Sequence, residues 1–210
     1  MDGIGIRPAL FQMAERLADA GYHVLLPDRA GPYEPMDAKT IFSDTTKRAE
    51  LFSRFMSRAT VANVMRDTRA FLAYLAAERG VRTEKVGTTG YCMGGRFSLS
   101  AAGHYPERIA AAASYHGGNL ANEAPDSPHL LAPKMKARVY VGGASDDPSF
   151  PEEQKERLRR ALTAADVEHV IETYAARHGW VPSDTPVHDP AAAERHWQTL
   201  LELFDRTLKT

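Results

Sequence analysis

The sequence predicts an α/β fold in which a mostly parallel sheet is covered by helices on both faces. Three observations carry that expectation. Helix-spaced and strand-like apolar patterns alternate along the whole chain. Two helical stretches end at a glycine, Gly21 and Gly80, with a strand-like run following each. A length of 210 residues with 43% hydrophobic and 25% charged side chains suits one globular domain, taken as residues 1–210.

Leu10, Met13, Ala14, Leu17 and Ala18 recur at helical spacing, and residues 22–26 then read as a strand. From Asp28 to Thr60 the alternation breaks, with Pro32, Pro35 and a turn-rich middle. A short amphipathic helix is expected at 47–56 on Leu51, Phe52 and Phe55. An insertion of this length, about 29–60, is expected to act as a lid or pocket wall, with plain surface covering as the other reading. Val61, Val64, Met65, Thr68, Leu72, Leu75 and Ala76 mark a long helix, followed by a strand at 85–89. Further strands are expected at 109–114, 137–141 and 169–174, with helices at 95–104 and 151–165 between them. Residues 125–133 form a second excursion, and Trp197, Leu200, Leu201, Phe204 and Leu208 line one face of a last helix. No repeat or low-complexity tract interrupts this order.

A formal net charge of -1 argues against a nucleic-acid partner. No apolar run reaches the ~18 residues of a membrane span, and the start MDGIGIRP has neither the basic head nor the apolar stretch of an export signal. The single cysteine, Cys92, rules out an internal disulfide and a thiolate zinc cage, and it points to a reducing cytoplasm. No histidine pair has a convincing metal spacing, so neither a metal nor another cofactor is expected. A soluble monomer or homodimer acting on a small molecule remains.

The strand at 85–89 runs into Gly90-Tyr91-Cys92-Met93-Gly94-Gly95 and then a helical pattern. Gly-x-Cys-x-Gly between strand and helix is the pattern of a nucleophile on a strained turn, where glycines two before and two after let the backbone pack closely. A thiol there lies at the first turn of a helix, whose N–H groups and dipole favour a thiolate and later an oxyanion. The plainer reading is a small buried cysteine. An acid and then a histidine, each on a loop after a later strand, complete such a site. The loop after 137–141 offers Asp146 and Asp147, and the loop after 169–174 offers His178. His23, His104, His116, His169, His188 and His196 read as packing or surface residues.

Taken together, GYCMGG, GASDDPSFP and RHGW resemble the dienelactone hydrolase family, α/β-hydrolases with a Cys-Asp-His triad, from Asp2 to near the C-terminus. In that family a proline stands four residues after the acid, as Pro151 does after Asp147, so the resemblance makes the triad Cys92, Asp147 and His178 and leaves Asp146 as a turn residue. It likewise implies that Asp2, where the family usually has Glu, meets the resting thiol, and that the N–H groups of Gly3 and Met93 form the oxyanion hole. Arg29, just after Pro27-Asp28, is implied as a substrate carboxylate binder, with Arg96, Tyr33, Phe150 and Trp180 as further pocket candidates. The implied reaction is hydrolysis of an ester or lactone such as the dienelactones of aromatic catabolism, through a thiol ester. A papain-like protease lacks this turn at its cysteine.

The same resemblance places a further strand just before Met1, between residues 22–26 and 85–89. Its absence from the chain leads to the expectation of an N-terminally truncated fold, in which those two strands either close up, drawing Asp2 and Gly3 from Cys92, or leave open edges. An inactive or binding-only fragment is the alternative function.

Overall fold

Four of the expected strands assemble in the computed structural model, which describes residues 1–28, 38–56 and 58–209. β1 (Val86–Tyr91), β2 (Ile109–Tyr115), β3 (Arg138–Ala144) and β4 (His169–Tyr174) form one sheet in the order β1-β2-β3-β4, every neighbouring pair parallel. Parallel neighbours need a crossover. Helix α5 (Met93–His104) joins β1 to β2, a loop with a 3-10 turn at Pro128–Lys134 joins β2 to β3, and α6 (Glu152–Ala164) joins β3 to β4. Ahead of the sheet run α1 (Pro8–Asp19), α2 (Ala38–Ser43), α3 (Thr45–Met56) and α4 (Val61–Ala77), and α7 (Pro190–Leu208) closes the chain.

Side chains two apart on a strand share a face, and the two faces of this sheet have separate cores. Val139 and Val141 of β3 pack with Val64 and Leu72 of α4, Phe97 of α5 and Leu158 and Leu162 of α6. On the other face Tyr140 packs with Tyr115 of β2, Leu17 of α1 and Trp197, Leu200 and Phe204 of α7. Each fully buried Leu removes enough apolar surface to be worth roughly 1.5–3 kcal/mol. Pro190 at the first turn and Asp189, whose carboxylate accepts from the Ala192 N–H at 2.9 Å, start α7, while Gly21 with φ +91° and Gly80 with φ +80° follow α1 and α4.

The α7 face also holds polar groups that burial obliges to pair. The Tyr91 hydroxyl lies 2.9 Å from His196 Nε2, Tyr115 Oη is 2.9 Å from Thr199 Oγ1, and Tyr140 Oη is 2.8 Å from Tyr174 Oη. Burial drives His196 down to about 3, so it is neutral and serves as packing, as expected.

Residues 22–26 depart from expectation. They make no ladder with any neighbour. Between them and β1 lies a cavity of about 570 Å³, walled by Leu10, Leu17, Val24, Leu26, Val86 and Phe204 among others. That is well above the roughly 150 Å³ at which an apolar cavity has been seen to stay dry, so it is more than a packing defect. A strand exists by pairing, and the apolar sequence of this run cannot supply a partner. The two segments have not closed up, and the amino end has not been drawn away: the Tyr91 N–H donates to the Met1 carbonyl at 3.2 Å. The expected insertion at 29–60 contains α2 and α3 within its described residues, the latter starting two residues earlier than the spacing implied.

An open strand edge over an apolar cavity is a liability for solubility. We therefore expect that a chain extended before Met1 by one apolar strand melts at a temperature higher by about 2–4 °C, as an added ~1 kcal/mol would give, and is more soluble than the 210-residue chain. Thermal denaturation of both beside a proline-interrupted extension checks it. Equal midpoints for all three would show that β1 accepts no partner on this side.

Candidate active site

β1 ends at Tyr91, and the chain reverses at Cys92, whose φ of 54° and ψ of -124° lie outside the regions open to most side chains. Holding a non-glycine residue there costs about 1–3 kcal/mol, which the surrounding packing must over-determine. The packing is tight enough. A Cβ on Gly90 would lie 1.9 Å from the Gly94 carbonyl oxygen, and one on Gly94 would lie 1.9 Å from the Met1 carbonyl oxygen. The turn places the partly exposed Cys92 directly before α5, so the Met93 N–H is the first of those a helix leaves without an internal partner. Cys92 donates its own N–H to the Tyr115 carbonyl at 3.1 Å and to His116 Nδ1 at 3.0 Å.

The acid and the histidine arrive from the carboxyl ends of β3 and β4. Asp146 takes the exposed turn position, with φ 50°, and this turns Asp147 inward, where it is buried. Asp147 Oδ2 lies 2.6 Å from His178 Nδ1, and Oδ1 accepts from the Ser149 N–H at 2.9 Å and the Ser149 hydroxyl at 2.6 Å. His178 also lies close enough to Cys92 for the two side chains to interact electrostatically. Burial pulls His178 down, but its hydrogen bonds and charge interactions with Asp147 and Cys92 more than offset this and raise it to about 10. For Asp147 burial acts upward, and the bonds from His178 and Ser149 outweigh it, leaving the carboxylate below its usual range.

Cys92, Asp147 and His178 thus converge. The remaining expected residues divide. Gly3 is buried beside Asp2, and Asp2 is part of the backbone that presses on Gly94. Both oxygens of Asp2 accept from Arg7, at 2.9 and 2.8 Å, and Oδ1 also takes the Ile4 N–H at 2.9 Å. Arg7 in turn grips Asp184 at 2.6 and 3.1 Å, so a carboxylate expected to activate sulfur is held by a buried guanidinium instead. Arg96 pairs with Asp126 at 2.5 Å. Trp180 is 0% exposed, stacked on Tyr174 at 4.9 Å, and Phe150 is 1% exposed, so neither can wall a pocket open to substrate. Arg29 and Tyr33 lie outside the described residues.

Two residues at the site, Ser149 and Arg7, went unread in the sequence, and a third, His116, was read only as structural. Ser149 carries a signal, since a serine two residues after an acid commonly bonds it. Arg7 has none, because its partners are Asp2 and the distant Asp184. His116 stands one residue past the end of β2, the same strand-end position that marked the triad loops. Among the described residues no three His, Cys, Asp or Glu side chains cluster as a metal site would require, and no helix is long and apolar enough to cross a membrane.

Comparison with known proteins agrees with this architecture. The model of the dienelactone hydrolase family matches residues 1–208. A carboxymethylenebutenolidase of Rhodococcus opacus is 25% identical over 221 residues, covering 99% of this chain and 79% of the relative. A provisionally named carboxymethylenebutenolidase of Escherichia coli (strain K12) is 30% identical over 206 residues, with 95% and 72% covered. The crystal structure of a provisionally named dienelactone hydrolase from Klebsiella pneumoniae subsp. pneumoniae superposes with a TM-score of 0.81 at 26% identity, over 97% of this chain and 83% of that one. With the parallel sheet, the strand-to-helix turn and a match along nearly the whole sequence, the chain belongs to the dienelactone hydrolase family of α/β-hydrolases.

Proposed function

We propose that the protein hydrolyses a small carboxylic ester or lactone through a thiol ester on Cys92. The observation that carries this reading is the 2.6 Å bond between Asp147 Oδ2 and His178 Nδ1, with Cys92 beside that histidine on a strained turn at a helix N-terminus. In the reaction Cys92 acts as a thiolate whose proton His178 holds, with Asp147 bonded to the other side of that ring. Cys92 Sγ forms the new bond to the carbonyl carbon, and the carbonyl π pair moves onto oxygen, where the N–H groups of Met93 and Gly3 receive it. One such donor is worth roughly 3 kcal/mol in other enzymes. Collapse of this intermediate breaks the bond to the leaving oxygen, which takes the proton from His178. Water then attacks the thiol ester, giving a proton to His178 as the acid is released and the thiolate returns.

A thiolate is a poor nucleophile toward esters of strongly basic alkoxides, so an enol lactone, whose leaving group is an enolate, suits it. The names of the relatives agree with a dienelactone of aromatic catabolism as substrate. Arg29 is the candidate for binding its carboxylate. A lone cysteine argues for a cytoplasmic setting. The alternative, a protein that binds without catalysis, is decided by the same assays.

Incubation with a slow chromogenic ester should add one acyl group to Cys92, seen by intact mass, and Cys92→Ala should abolish both adduct and turnover. Hydrolysis by Cys92→Ala at the normal rate would refute the nucleophile. Asp147→Asn should lower kcat by about a hundredfold or more, by analogy with triad acids elsewhere, while Asp146→Asn stays within a few-fold; the reverse order would move the acid to Asp146.

The raised histidine and the depressed carboxylate also fix a pH window. His178 contributes to folding fully below its ordinary value of about 6.5, and that contribution is lost as pH climbs toward about 10. Asp147 contributes above its ordinary carboxylate range and loses this on acidification. Asp147→Asn should therefore depress the thermal midpoint most near pH 5 to 6, with the gap narrowing toward about pH 10. Calorimetry at three pH values tests it, and a constant gap would show that the pair is not coupled as described.

A further inference from the structure

His116 is outside the proton chain of the proposed mechanism, yet the turn rests on it. Its side chain is 1% exposed, its φ is 40°, and its N–H donates to the Gly142 carbonyl at 2.8 Å. These constraints swing the ring from the end of β2 beneath the turn after β1, where Nδ1 lies 3.0 Å from the Cys92 N. A backbone N–H can only donate, so Nδ1 must be the bare nitrogen and Nε2 carries the proton. Nε2 is buried with no partner among the described residues. The ring centroid lies 5.3 Å from that of His178 and 4.9 Å from that of Trp180. Burial, and then the charge of His178, hold His116 well below its ordinary range, so an imidazolium and a neutral imidazole sit side by side.

The geometry points to His116 as a positioning residue, whose neutral Nε2–H form accepts the Cys92 N–H and so fixes the direction of the thiol toward His178 and of the Met93 N–H toward the oxyanion. The Tyr115 carbonyl shares the Cys92 N–H at 3.1 Å, so the ring of His116 is the one side-chain acceptor of that group. A small rotation at the nucleophile is costly because the reacting atoms must start in line. This inference rests on the thiol-ester reading for its effect on turnover, though not for its effect on the thiol itself.

Asparagine and leucine separate the acceptor from mere filling of space. Asn Oδ1 hangs from Cγ as His Nδ1 does, and asparagine tolerates a positive φ, whereas leucine fills the cavity and accepts nothing. We expect His116→Leu to lower kcat by about a hundredfold with KM within a few-fold, and to slow alkylation of Cys92 by iodoacetamide by about tenfold, a loss in direction alone. His116→Asn should recover most of both. A space-filling role predicts the opposite ranking, and Leu equal to or better than Asn in folded protein would overturn the proposal. If the wild type proves inactive on esters, the alkylation rates still decide between the two roles. Should a variant not fold, nitrogen-correlated NMR of the unaltered protein at neutral pH decides: Nδ1 unprotonated and Nε2 protonated is expected, and the other tautomer would overturn it.

Discussion

The site depends first on how closely three stretches of backbone meet at the turn after β1. Gly90, Gly94 and the Met1 carbonyl stack so that no side-chain carbon fits between them, and the Tyr91 N–H joins the same carbonyl. Cys92 is forced into its left-handed conformation by that contact and by the two acceptors of its N–H. A looser turn would relax, and the sulfur would swing from the histidine. The sheet serves this contact, since β1 ends at it and the end of β2 supplies both acceptors of the Cys92 N–H.

Three histidines show how environment sorts one side chain into different tasks. His178 is partly open and has two partners that favour its charge, so it is lifted to about 10. His196, enclosed beneath α7 with a tyrosine hydroxyl as its side-chain partner, falls to about 3. His116, equally enclosed and facing the charged ring of His178, is pushed down as well. Burial acts downward on all three; the nearby anions decide which one escapes.

The sequence made the four paired strands legible to within about three residues, because each is a short apolar run bounded by turns and by helical periodicity. The run at 22–26 has the same local character and is not a strand, for pairing is supplied by a neighbour and not by composition. The meeting of Asp147 with His178 beside the Cys92 turn was legible for a related reason: the three residues follow strands in a fixed order, and the local turn marks them. Choosing Asp147 over Asp146 needed the resemblance, and the physical ground is the turn at Asp146 that points its neighbour inward. Asp2, Trp180 and Phe150 sit otherwise than expected because packing, which no local pattern encodes, decides what each one meets. Arg7 captures the first, and Tyr174 draws the second into the core.

The meeting of Met1 with the nucleophile turn has a practical side. Residues 1 and 2 are packed into the turn that carries Cys92, pressed on Gly94, whereas α7 ends near Gly87, where a Cβ would lie 2.9 Å from Leu208, at the opposite end of β1. An affinity tag, fluorophore or surface linkage attached at residue 1 pulls on the turn that aims the sulfur. The same attachment after residue 209 hangs from the far side of the sheet, and it is the end by which the molecule can be held while its chemistry is left alone.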